Sequence, residues 1–283
     1  KTATTTRDED FVDKVFVANS HDLLLCFTNF GKVYWLKVYQ VPRASRTARG
    51  RPLVNLLPLS DSERVTAILP IKQFDSDSFV VMATASGIVK KTPLENFSRP
   101  RPSGIIAAGL TDGDVLVGAV LTRGESDVML VSSGGKAIRF NESALRSMGR
   151  TARGVRGMRL KEHHEVIALI PITGNGTIIL ATANGFGKRT DFNDFPVKGR
   201  GGQGVIAIQA NERNGEVVGA SAAADGEDIM LITGQGVLVR TSVSGISIIG
   251  RNTQGLRLIA LGEKETLVGL EVIPEIAEEE MGE

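Results

Sequence analysis

Four stretches of the sequence hold residues of the kind that do chemistry. Gly185-Phe-Gly-Lys188-Arg-Thr approaches a phosphate-cradling P-loop, but that motif needs Gly where Thr182 stands, Ser or Thr where Arg189 stands, and a following helix. Gly199-Arg-Gly-Gly-Gln-Gly204 has the glycines of a dinucleotide loop without its strand–turn–helix setting. His163 and His164, between Glu162 and Glu165, are adjacent rather than one helical turn apart, which is the wrong spacing for a zinc pair. Cys26, inside Leu-Leu-Leu-Cys-Phe, reads as an inert buried thiol, and the two tyrosines, Tyr34 and Tyr39, lie on and just past one hairpin strand. No nucleophile has a base beside it in any of these stretches. The expectation is a chain without catalytic residues, metal or cofactor of its own, whose chemistry is that of its charges.

Those charges ride on a chain that folds. Hydrophobic residues make up 42% and charged residues 23% of the 283, enough for a core and too little charge for disorder. One cysteine excludes a disulfide framework and points to a reducing, cytoplasmic compartment. No run reaches the roughly 20 apolar residues of a membrane span, and Lys1-Thr-Ala-Thr-Thr-Thr-Arg-Asp-Glu-Asp10 is not a signal peptide, so no membrane partner is expected.

A repeat of about fifty residues organises the rest. Short apolar strands start at Val15, Val65, Val115, Val166, Val217 and Leu267, separated by 50, 50, 51, 51 and 50 residues. Hairpins occupy 23–37, 79–92, 127–140, 177–190 and 228–241, with Gly31, Gly87, Gly135, Gly185 and Gly236 at one turn position. Glycine there permits the positive φ of a tight turn, and Thr28, Thr84, Ser132, Thr182 and Thr233 can bond the turn backbone. A third strand follows Pro52, Gly104, Gly154, Gly204 or Gly255. Leu94–Phe97 and Glu142–Gly149 can form a helical turn or two at most. The pattern predicts an all-β, propeller-like disc of four-stranded units, each of two hairpins: five complete units and a partial sixth, one domain over 11–273.

The net charge of +1 hides a periodic sorting. Basic residues recur once per unit: Arg43, Arg46, Arg49 and Arg51; Lys90, Lys91, Arg99 and Arg101; Lys136, Arg139, Arg146, Arg150, Arg153 and Arg156; Lys188, Arg189, Lys198 and Arg200; Arg240 and Arg251. No acid falls between Leu23 and Ser60, between Ser143 and Leu160, or between Ile229 and Gly262. The acids collect in the turns at Asp61 and Glu63, Asp112 and Asp114, Glu162 and Glu165, Glu212 and Glu216, and Glu263 and Glu265. A basic band in phase with the repeat suits a long polyanion, duplex DNA above all, held by its backbone rather than read by its bases. A protein-binding propeller of the kelch type is the alternative, but one Trp and two Tyr cannot supply an aromatic motif to every unit.

The segments KVYQVPRASRTARGRPLVNLLPL (37–59), MATASGIVKKT (82–92), NGFGKRT (184–190) and VSGISIIGRNTQG (243–255) closely resemble the C-terminal domain of bacterial DNA gyrase A, over essentially the whole chain. The resemblance implies a β-pinwheel whose blades exchange a strand, wrapping duplex DNA on its basic rim, with the basic residues above as its contacts. It implies partners in the rest of gyrase A and in gyrase B, two copies of each. It further implies ATP and Mg bound elsewhere in that assembly, negative supercoiling as the outcome, and a bacterial, nucleoid-associated setting. Neither tyrosine has the context of a topoisomerase nucleophile. The family's box, Gln-Arg-Arg-Gly-Gly-Lys-Gly, is not in this sequence; residues 1–10 resemble the linker that follows it, and Arg200-Gly-Gly-Gln-Gly204 is its nearest match. Residues 274–283 resemble the start of an acidic tail.

Overall fold

Five small antiparallel sheets account for nearly all regular structure in the computed structural model, which describes residues 18–43 and 55–275. The expected strand at Val15, the start of the strand after Pro52, the linker and most of the acidic tail lie outside the described residues, and 55–59 of the strand after Pro52 is a 3-10 turn and irregular backbone rather than strand. Two compact units divide the described chain.

The first unit, residues 18–173 and 195–207, holds three sheets. Its strands are β1 (Leu23–Thr28), β2 (Lys32–Lys37), β3 (Val65–Ile71), β4 (Phe79–Thr84), β5 (Ile88–Pro93), β6 (Ile105–Ile106), β7 (Leu116–Thr122), β8 (Asp127–Ser132), β9 (Lys136–Asn141), β10 (Val155–Arg156), β11 (Val166–Ile172) and β14 (Val205–Ile206). The sheet orders are β3-β1-β2-β6, β7-β4-β5-β10 and β11-β8-β9-β14. The second unit, residues 174–194 and 208–275, holds β12 (Thr177–Thr182), β13 (Phe186–Asp191), β15 (Val217–Ala223), β16 (Asp228–Thr233), β17 (Leu238–Ser242), β18 (Leu256–Arg257) and β19 (Leu267–Ile273). Its sheets run β15-β12-β13-β18 and β17-β16-β19.

The hairpins stand where the sequence puts them, and the turn glycines all have positive φ, from 74° at Gly31 to 89° at Gly87. Thr84, Ser132 and Thr233 accept from the backbone four residues on, as expected, whereas Thr28 donates to Glu63. Where each hairpin pairs with its following strand the register slips by one residue near the turn; in the second sheet Ala83 and Thr84 of β4 face Gly118 and Leu116 of β7, which leaves Val117 as the bulged residue. The helical segments are single 3-10 turns, at Leu94–Phe97 and Glu142–Ala144.

Two expectations need correction. The third strand does not form a second hairpin with the strand that follows it. β6 pairs with β2 of the sheet before, while β7 pairs with β4 of the next, and β10, β14 and β18 repeat the arrangement. Each fourth strand is therefore borrowed from the following unit, and it is only two residues long because its N–H groups turn at once to the hairpin glycine: Gly157 N–H donates to Gly87 O (2.8 Å) and Ala207 N–H to Gly135 O (2.8 Å). The strand at Leu267 is not a spare sixth element either; it closes the fifth sheet against β16, and that sheet has three strands among the described residues.

The central strands read as unbroken apolar runs because both their faces are covered. Successive side chains point to opposite faces. Thus Val80 and Met82 of β4 pack with Leu25, Phe27 and Phe97, while Val81 and Ala83 pack with Val128, Leu130 and Phe140. Phe97 meets Phe27 edge to face, with centroids 5.7 Å apart, and is fully buried at the start of a basic loop.

Candidate nucleic-acid interface

Among the described residues, three basic loops are each fixed at three places before their side chains reach outward, and the loop 97–104 shares the first and last of these. A buried apolar residue opens each of the four: Phe97, Leu145, Phe195 or Ile246. Next, a backbone bond ties the three to the second hairpin strand of the unit before, Met148 N–H to Lys91 O (2.8 Å), Lys198 N–H to Arg139 O (2.9 Å) and Ile249 N–H to Arg189 O (2.9 Å). A positive-φ glycine closes each of the four, with φ between 71° and 103° at Gly104, Gly154, Gly204 and Gly255. At Gly154 and Gly204 a Cβ would strike the Val89 and Ala137 carbonyls, so these positions need glycine twice over.

Two lysines hold loops from beneath. Lys90 Nζ donates to Ala107 O (2.7 Å), Gly149 O (3.0 Å), Arg150 O (2.6 Å) and Ala152 O (2.9 Å). Lys188 Nζ does the same for Gly250 O (3.0 Å), Arg251 O and Thr253. Burial, aided by the Arg150 guanidinium, pulls the Lys90 ammonium down to about 8; burial and then Arg251 bring Lys188 to about 8, with Asp194 opposing.

These positions overturn part of the sequence reading. Lys90, Lys91, Lys188 and Arg189 are all buried and cannot meet an external polyanion. Lys91 reaches Glu142 O (3.1 Å) and lies 3.9 Å from the Glu142 carboxylate, while Arg189 binds Thr177 and Asp225, each at 2.7 Å. Half-buried Arg139 is paired with Asp127 at 2.9 Å, and Arg240, though exposed, with Asp228 at 2.5 Å. Arg43, Arg99, Arg101, Arg146, Arg153, Arg156, Lys198 and Arg200 are exposed, while Lys136, Arg150 and Arg251 are half-buried. Arg46, Arg49 and Arg51 lie outside the described residues.

Within the first unit the loops are stitched in series. Arg150 Nη1 donates to Ile106 O (2.9 Å) and Arg200 Nη1 to Arg156 O (3.0 Å), the same step from one loop back to the borrowed strand before it. Gly109 N–H to Ala152 O (3.1 Å) and Gly201 N–H to Gly157 O (2.7 Å) repeat the linkage in the backbone. The guanidiniums keep further N–H groups for a ligand.

Two of the turn acids, Glu63 and Asp114, are engaged by the neighbouring hairpin. Burial alone would push the Glu63 carboxyl up, but donors from Thr28 (2.7 Å), Ser60 N–H (3.1 Å) and Tyr34 (3.0 Å) hold it below the usual carboxylate range. Asp114 accepts from Ser86 N–H (3.0 Å) and Oγ (2.5 Å) across the neighbouring hairpin turn.

Sequence reasoning missed Arg213, which sits in the acid-bearing turn Asn211-Glu-Arg-Asn-Gly-Glu216. Its guanidinium carbon lies 4.5 Å from the Phe186 ring centroid, with Arg257 at 5.4 Å. The available signal was Phe186 itself, an aromatic where the other turns carry Lys32, Ile88, Lys136 and Val237. The P-loop-like stretch is the β12–β13 hairpin with its lysine buried, so it does not fit a nucleotide phosphate. No group of three or more His, Cys, Asp or Glu placed to hold a metal occurs among the described residues. Burial pushes the Cys26 thiol up to about 12, which leaves it unreactive.

A family profile described as the DNA gyrase C-terminal domain, beta-propeller, matches five consecutive segments, 22–72, 78–123, 126–173, 176–224 and 227–274, one for each sheet. The chain belongs to the DNA gyrase C-terminal domain family. Its five sheets are the blades of that all-β family. The DNA gyrase A polypeptide of Salmonella typhimurium strain LT2 is 54% identical over 280 residues, 99% of this chain and 32% of the relative; that of Escherichia coli strain K12 is 53% identical with the same coverage. The chain thus spans about a third of the length of these relatives. Among solved structures, a DNA gyrase A C-terminal domain superposes with a TM-score of 0.82 at 25% identity, covering 97% of this chain and 90% of the other. The C-terminal domain of a DNA topoisomerase IV gives 0.81 at 27%, covering 90% and 80%.

Proposed function

We propose that this gyrase-family domain binds duplex DNA through its exposed loop arginines and lysines, bends it, and wraps it around successive loops. In the assembled enzyme, two copies each of gyrase A and gyrase B, such a wrap presents a crossed DNA segment for strand passage, so that ATP hydrolysis elsewhere introduces negative supercoils. ATP and Mg belong to those other parts, and the setting is the bacterial cytoplasm. The observation that carries this reading is the series of acid-free basic loops, three of which are tied by backbone bonds to the sheet before them, so that charge is presented without paired carboxylates on a braced backbone. Bending 20–30 base pairs through 40–90° costs on the order of 1–6 kcal/mol, which several phosphate contacts offset. Loops without a reading helix favour the DNA backbone over base sequence.

The test is topological. The chain is bound to relaxed plasmid, a nicking-closing enzyme is added, and the linking number is read after the protein is removed. Chiral wrapping changes the linking number in proportion to bound protein; an unchanged value with DNA bound reduces the function to bending alone. Binding should also weaken with salt, at about −0.9 in log K per log salt for each phosphate neutralised.

A further inference from the structure

The third sheet carries a corner unlike that of any other. At the tip of the β8–β9 hairpin stands Gly134, where the other turns have Phe30, Ser86, Asn184 and Gln235. The His164 imidazole fills the space so released, and a Cβ at Gly134 would collide with the ring. Around it lies a concavity of about 60 Å³ lined by Ser132, Lys136, Arg159, Lys161, His164 and Gln203, among others, with no carboxylate in its wall. That is several times the ~10–15 Å³ needed by one water, room for a small oxyanion and too little for a base or sugar.

The side-chain nitrogens of Lys136, Arg159, Lys161 and His164 make no hydrogen bond or ion pair with a described residue. Elsewhere the comparable charges are engaged. Lys32, the counterpart of Lys136, donates to Ser103 O (3.1 Å) and lies over the Tyr34 ring, and Phe186 takes that place under two guanidiniums. Backbone bonds brace the corner: Arg159 N–H to Gly202 O (2.8 Å), His164 N–H to Lys161 O (3.1 Å), and Ser133 N–H to Glu165 O (2.8 Å). Three cationic residues and an imidazole lining a pocket whose wall holds no carboxylate suit an anion.

We propose that this corner is a phosphate site, in which Lys136, Arg159, Lys161 and His164 together hold the oxygens of one phosphate group. Two sources share that chemistry, a backbone phosphate of bound duplex and a free phosphoanion. Only the first rests on the DNA-binding function proposed above.

Amide NMR of the chain during titration with inorganic phosphate, at ionic strength held constant with chloride, tests the site directly. Saturable shifts are expected at Gly134, Lys136 and Arg159 through His164, and should vanish in the Lys136→Ala/Lys161→Ala double variant. Duplex binding by the same variant identifies the source. A salt slope shallower by about 0.9, with weaker affinity, places a DNA phosphate in the pocket; unchanged duplex binding with lost phosphate shifts assigns it to a free anion. Phosphate shifts no larger than those of chloride, together with unchanged duplex affinity and slope in the variant, overturn the site. A wild-type chain that failed to bind duplex would remove the DNA function and leave the phosphate titration standing.

Discussion

Lys90 and Arg153 carry the same charge and serve opposite sides of the same loop. Lys90, on the second hairpin strand, is 2% exposed and spends its ammonium on four carbonyls; Arg153, in the loop that supplies three of them, is exposed with no carboxylate near it in sequence. The pair shows that a basic residue in this fold can build the surface or be the surface. Sign and position in the repeat do not separate the two roles, but depth does. Substitutions at the two depths should therefore fail in different ways, one in stability and one in affinity.

The largest effect is expected beneath the loop. Lys90→Ala leaves buried carbonyls without a donor and should cost about 3 kcal/mol, read as a lower urea midpoint. A smaller but separable effect belongs to the surface. Replacing Arg150, Arg153 and Arg156 together with Ala should weaken duplex binding by about tenfold or more, or about 1.4 kcal/mol, alike for unrelated sequences. The urea midpoint should move far less than for Lys90→Ala, and loss confined to one DNA sequence would mean base readout instead.

The buried lysines also leave a pH signature. Their protons leave near 8 in the fold, against 10.5 for an ordinary lysine, so between those values the unfolded chain binds more protons than the folded one. Their contribution to stability therefore rises with pH across that window. The stability difference between wild type and a Lys90→Met/Lys188→Met variant should shift in favour of wild type from pH 8 to pH 10. A flat difference would show that the carbonyl cradles keep the protons on. Smallest of all is Arg240→Ala, which removes an ion pair with Asp228 near the surface and should cost only about 0.5 kcal/mol.

What could be read in the sequence was whatever depends on local backbone. The turn glycines, Thr84, Ser132 and Thr233 beside them, and the apolar central strands depend mostly on residues within one hairpin, and they stand as expected. The borrowed strand was different, because pairing β6 with β2 rather than β7 is decided by contacts some seventy residues apart. So was the depth of the lysines, since the acceptors of Lys90 Nζ include carbonyls up to 62 residues further on. A clue was nonetheless present. The column three residues after each turn glycine reads Tyr34, Lys90, Ile138, Lys188 and Val239, and lysines in an otherwise mostly apolar column point inward. The acids were placed in the turns by counting, but the work of Glu63 and Asp114 as acceptors for the neighbouring hairpin needed the fold to reveal it.

The borrowed strands make the repeat of the sequence and the unit of cooperativity two different lengths. A pull on residues 146–158 is resisted by Lys90, Lys91 and Gly87, all contributed by the preceding repeat. Recoil from a bent polyanion would then be shared between adjacent repeats instead of unzipping one. Under mechanical load the chain should yield in steps longer than the period written in its glycines.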